Sequence, residues 1–90
     1  MTTNAKVIRP LSTIASEIKK DWRATAKDGK IYFGAVPYLD AMSTLDKITD
    51  RFICEDARTQ VIYFLSNATT WRGDKAREIK KELNAMLKSK

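Results

Sequence analysis

Glu55-Asp56-Ala57-Arg58-Thr59-Gln60-Val61-Ile62-Tyr63-Phe64-Leu65-Ser66-Asn67-Ala68 is the most apolar stretch of the chain, and its spacing decides the fold class. Ala57, Val61, Phe64, Leu65 and Ala68 recur at i, i+4, i+7, i+8 and i+11, the signature of one helix face. Ile62 and Tyr63 widen that face, so this helix is expected at the centre of the fold. Glu55 and Asp56 fall where a first turn would be, and the helix dipole favours negative charge there.

On the N-terminal side, Leu11, Ile14, Ala15, Ile18 and Trp22 form a second amphipathic pattern. Pro10 suits its first position, where a missing N–H costs nothing. Asp28-Gly29 is a turn signal. Ile31-Tyr32-Phe33 is too short to choose between an extended segment and the lead-in to a helix. Pro37 can open that helix, with Leu39, Met42 and Leu45 on its inner face and its end near Asp46 to Asp50. On the C-terminal side, Asn67 to Gly73 interrupts the pattern, Asp74 is a candidate N-cap, and Ala76, Ile79, Leu83, Met86 and Leu87 draw a last helix. The expectation is a mainly all-α fold: a compact bundle of about four helices in residues 10–90, with a flexible N-terminal arm over 1–9 and a short extended segment as an option near 31–33.

Ninety residues supply one core, and 43% hydrophobic with 31% charged residues is globular usage rather than that of a disordered chain. Met1 to Ile8 holds no apolar run of signal-peptide length, and no stretch approaches the roughly 18 apolar residues of a membrane span. The chain therefore reads as cytoplasmic, with no membrane partner. There is no histidine, and Cys54 is alone. The commonest general base and transition-metal ligand are thus absent, and Cys54 has no imidazole to activate it. Asp40, Asp46, Asp50, Glu55 and Asp56 match no compact metal-binding loop. No catalytic residue, metal or cofactor is expected, and the chain reads as a non-enzyme.

The charge is what remains. Lys and Arg total 17 against 11 acids, a net charge of +6, and the excess lies at the two ends while residues 31–70 are mildly acidic. At 100° per residue, Arg77, Lys81 and Lys88 project within about 40° of one another, away from Ile79 and Leu83. Lys19, Lys20, Arg23 and Lys27 fall opposite Leu11, Ile18 and Trp22 as a second basic face. Trp71 and Arg72, in the loop before the last helix, are residue types that dominate binding energy at interfaces. Each feature has a plainer explanation: solvated helix faces, and a Trp71 that closes the core. Arg72-Gly73-Asp74 spells an integrin-type tripeptide, but capping chemistry is its simpler meaning.

The runs Ile31-Tyr32-Phe33-Gly34-Ala35-Val36-Pro37-Tyr38-Leu39-Asp40-Ala41-Met42 and Tyr63-Phe64-Leu65-Ser66-Asn67-Ala68-Thr69-Thr70-Trp71-Arg72-Gly73 resemble short uncharacterised helical proteins of bacteriophages and other mobile elements. The similarity spans most of residues 8–87 and brings no catalytic motif with it. It implies a small binding protein in a bacterial host cell, acting on a host protein such as a defence or replication factor. Trp71, Arg72, Arg77, Lys81 and Lys88 are then the candidate partner-binding residues. The alternative is a sequence-nonspecific nucleic-acid binder that uses the same basic faces.

Overall fold

The structure, a computed structural model, describes residues 9–52 and 55–88. Helix α1 (Leu11–Thr25) buries Leu11, Ile14, Ala15, Ile18 and Trp22, the five residues its spacing put on one face. Pro10 stands one position earlier than expected, at the N-cap, where it has no side chain to offer. The free N–H groups of the first turn are satisfied from elsewhere: Leu11 and Ser12 donate to the carbonyls of Asp46 and Leu45, at 2.9 and 2.8 Å. The loop after the second helix thus caps the first. Beyond α1, Gly29 takes a positive φ of 69°, and the Asp28 carboxylate accepts from the Lys30 N–H at 3.0 Å to close the turn.

The segment near 31–33 is not a strand. Phe33–Ala35 forms a 3-10 turn that runs directly into α2 (Val36–Met42), with the Ala35 N–H donating to Tyr32. Gly34 lets this turn close, because a Cβ there would lie 2.6 Å from the Tyr32 ring and 2.9 Å from Asn67 Oδ1. Helix α2 ends at Met42, earlier than its apolar spacing suggests. The Ser43 and Thr44 hydroxyls donate to the carbonyls of Leu39 and Ala41, and Leu45 reaches the core from the turn that follows. The extended structure lies further on, where β1 (Arg51–Phe52) pairs antiparallel with β2 (Glu55–Asp56). Two-residue strands have no periodicity to read. Cys54 lies outside the described residues.

Helix α3 (Ala57–Ser66) is capped by Asp56, whose carboxylate accepts from the Thr59 N–H and hydroxyl. Asp56 is therefore the N-cap rather than a first-turn residue. Ala57, Gln60, Val61 and Phe64 are buried and Leu65 is half-buried, while Ile62 and Tyr63 face solvent. A helix apolar on nearly every side does not reveal which side is covered. Gly73, at φ 116°, leads into α4 (Asp74–Lys88), which buries Ala76, Ile79 and Leu83. Asp74 is already helical, and its carboxylate pairs with Arg77 instead of capping; the Gly73 carbonyl accepts the Arg77 N–H.

All four helices meet in one core around an aromatic trio. Trp22 stacks on Trp71 with centroids 5.8 Å apart, and Phe64 meets both rings at 6.3 and 6.2 Å. Helices α1 and α4 run antiparallel: Arg9 bonds Glu82, Glu17 faces Lys75, and Asp21 accepts from Trp71 Nε1. Residues 1–8 of the expected N-terminal arm lie outside the described residues. Its last residue, Arg9, is held by Glu82 through two nitrogens and by Glu17 at 2.6 Å. The Arg9 guanidinium and then the Lys75 ammonium hold the Glu17 carboxyl below its usual range. A carboxylate with a depressed folded-state pKa contributes stability that is complete above the unfolded value and is lost as pH falls through the folded one. Acid titration of the chain below about pH 4.5 is therefore expected to lower its unfolding midpoint. An Arg9→Met variant should show a shallower loss over the same window; an identical slope would remove this ion pair from the stability account.

Candidate binding surface

The antiparallel pairing of α1 and α4 brings the two basic ends of the sequence side by side. Their acids are largely spent in the seam: Glu17 and Glu82 bind Arg9, and Asp21 binds the Trp71 indole. Of the remaining cations on these two helices, Lys20, Arg23, Lys75, Arg77, Lys81 and Lys88 are exposed.

Trp71 is not part of that exterior. Its side chain is completely buried, stacked on Trp22 and tied by Nε1 to Asp21 at 2.9 Å. Lys80 covers it from α4, with its ammonium 5.8 Å above the ring and donating to the carbonyls of Ala68 and Trp71 at 2.8 and 2.7 Å. Burial, and then the nearby Arg72 charge, push the Lys80 ammonium below its usual range. As an accessible hot spot Trp71 is thus corrected: a large indole in a small chain is taken by the core, and an aspartate meets its single donor. Lys80 acts as a strut for the 68–71 loop, which an outward-facing basic stripe does not foretell.

The other candidates divide. Arg72 is exposed, with Nε 3.4 Å from the Thr69 carbonyl. Arg77, Lys81 and Lys88 are exposed on α4, and Arg77 is paired with Asp74. Lys20 projects from α1 beside the mixed-charge groove of Glu17, Asp21 and Lys75. Lys19 lies on the flank toward α2, bonded to Asp40 Oδ1 and the Ser43 hydroxyl, each at 3.2 Å. Lys27 sits past the helix end, in a shallow hollow with Lys30, Tyr32 and Thr70. The second basic face is therefore not one continuous free surface.

What the structure assembles instead is a cleft of about 230 Å³ between α1, the Gly29-Lys30 turn and α2. Lys19 and Arg23 form one wall, Val36 and Asp40 the facing one, Lys30 and Ile31 the end, and Leu39 the buried floor. Each wall is an i, i+4 pair of one helix, so both residues of a pair share a side. Beside the cleft, Phe33 is 80% exposed, with Tyr32 packed on it at 5.0 Å. On α3 the Tyr63 ring meets Tyr38 at 5.4 Å, and both Tyr63 and Ile62 are exposed. Lys30 was not singled out from the sequence, and Phe33 and Asp40 were weighed only for other roles, since the meeting of these residues depends on how α2 docks against α1.

Among the described residues no group of three or more acids and cysteines gathers where it could hold a metal ion, and no helix is long and apolar enough to cross a membrane. Comparison of the chain with known protein families, with curated proteins and with solved structures finds no match.

Proposed function

We propose that the chain is a small non-enzymatic binding module that engages a protein partner through the end of the molecule formed by Tyr32, Phe33, Val36 and the adjoining cleft. The observation that carries this reading is the exposure of Phe33 at 80%, in a fold that buries both tryptophans. A small domain that leaves large apolar side chains clustered in water, rimmed by charge, presents the surface of an interaction site. Aromatic side chains with arginine at the margin are the usual anchors of such sites. The resemblance of residues 31–42 and 63–73 to phage and mobile-element proteins supports a host protein as the partner, with a defence or replication factor as the expected kind. The sequence has no histidine, the commonest general base, which favours a binding role over a catalytic one.

One observation favours the second reading, a nonspecific nucleic-acid binder: the Tyr32 ring lines the same hollow as Lys27 and Lys30, and aromatic rings beside cations can stack bases. Affinity capture from nuclease-treated bacterial lysate separates the two. Wild-type chain should retain a protein that a Phe33→Ser, Val36→Ser double variant loses, with both chains giving the same helical far-UV spectrum. Loss of all capture on nuclease treatment would transfer the site to nucleic acid. Equal capture by both chains would remove this end of the molecule from binding.

A further inference from the structure

The cleft is chemically asymmetric, and that asymmetry defines an occupant. At one end Lys19 is already neutralised, its ammonium shared between Asp40 and the Ser43 hydroxyl. Arg23 and Lys30 also line the cleft, with no carboxylate within ion-pairing distance of either among the described residues. Between them lie only aliphatic groups, Ile31, Val36 and the buried Leu39, and Phe33 stands exposed one helical turn before Val36.

We propose that this cleft takes an acidic segment of a protein partner, with a carboxylate bound by Arg23 and Lys30 and the neighbouring apolar side chain of the segment laid on Val36 and Phe33. The proposal rests on the reading of this end as the binding surface and adds the chemistry of what it binds. A guanidinium meets a carboxylate through two parallel N–H donors, so Arg23 gives direction as well as charge, while Lys30 acts as a point charge. The volume, about 230 Å³, is below the roughly 300–1,000 Å³ of sites that enclose drug-sized ligands, and it fits one or two side chains of a peptide.

A phosphate backbone fits less well. It needs a track of cations, yet Lys20 turns toward the α1–α4 groove and Lys19 is spent. The Asp40 carboxylate, 63% exposed, is paired with Lys19 in the cleft wall, so only Arg23 and Lys30 are left to meet a negative charge. The larger apolar side chains that line the cleft itself, Ile31, Val36 and Leu39, are aliphatic, and Tyr32 and Phe33 lie outside its lining.

The test is a titration of the isotopically labelled full chain, followed through its amide resonances. The probe is a blocked peptide bearing two aspartates beside a leucine, compared with the same peptide carrying serine for leucine and with oligothymidylate. Expected are shifts at Arg23, Gly29 to Ile31, Val36 and Leu39 with the first peptide, and weaker binding of the serine version. Arg23→Glu with Lys30→Glu should weaken the first peptide by at least about tenfold, while Lys81→Glu with Lys88→Glu leaves it within about twofold. No shift at the cleft, or no effect of the Arg23 and Lys30 reversals, overturns the proposal. Tighter binding of oligothymidylate at the same amides overturns it in favour of phosphate. If the peptide fails while the Phe33→Ser, Val36→Ser variant still loses its captured protein, the acidic-segment assignment falls and the binding surface stands. If capture is also unchanged, both fall.

Discussion

Trp71→Ala is expected to move the denaturation midpoint of the chain far below that of the wild type. The indole is completely buried, stacked on Trp22, in contact with Phe64 and bonded to Asp21. Truncating a core tryptophan costs about 3–5 kcal/mol, and a domain of ordinary stability has only about 5–15 kcal/mol in all. The loss goes beyond volume. Asp21 Oδ2 loses its donor, and Lys80 loses the ring beneath its ammonium. Chemical denaturation followed by circular dichroism measures the change. A midpoint near that of the wild type would mean that the indole is solvent-facing and that the loop is available for binding after all.

The second large effect distinguishes two neighbours on one helix. Phe64 is fully buried within the aromatic trio, whereas Leu65 is half-buried at the edge of the core. Phe64→Ala should therefore cost about 3–5 kcal/mol. Leu65→Ala should cost less, about 1–2 kcal/mol, because part of the residue stays in contact with water in the folded state. The sequence alone assigns Leu65 the full cost of a buried leucine, since it stands at i+8 on the apolar face of α3. Equal destabilisation by the two substitutions would show that α3 is rotated about its axis from the position described.

That contrast also shows where sequence reading succeeds and where it stops. Helices α1 and α4 were legible in their core stripes but not in their first residues, where Pro10 is the N-cap and Asp74 is already helical, nor at Met86 and Leu87, which are only half-buried. Each has 15 residues with a single apolar stripe against a polar background, so the buried sets Leu11, Ile14, Ala15, Ile18, Trp22 and Ala76, Ile79, Leu83 follow from spacing. Helix α3 was legible as a helix but not in phase, because Ile62 and Tyr63 are as apolar as the residues it buries. The short β pair at 51–56 and the 3-10 turn at 33–35 are set by tertiary contacts: the Asp50 carbonyl accepts the Ala57 N–H, and Tyr32 and Asn67 crowd Gly34.

The candidate site was legible only in its ingredients. The sequence shows Lys19 and Arg23 on one helix, but Asp40, which neutralises the first, and Lys30, which joins the second, belong to other elements. Likewise, the acids that quench basic charge do so across the α1–α4 seam, between residues up to 73 positions apart. Local charge patterns therefore over-counted the free cations on α1, and residue type alone left Trp71, a core side chain, among the binding candidates.

The most direct measurement of the account is protein capture from nuclease-treated lysate by two charge-reversed chains that differ only in which face is altered. Arg23→Glu with Lys30→Glu alters the cleft, and Lys81→Glu with Lys88→Glu alters the outer face of α4. Both replace exposed cations for which no ion pair is found among the described residues, so both should keep the wild-type far-UV spectrum and denaturation midpoint. The account predicts that the first chain loses the captured protein and the second retains it. Retention by the first with loss by the second would contradict it, and would return the binding surface to the last helix.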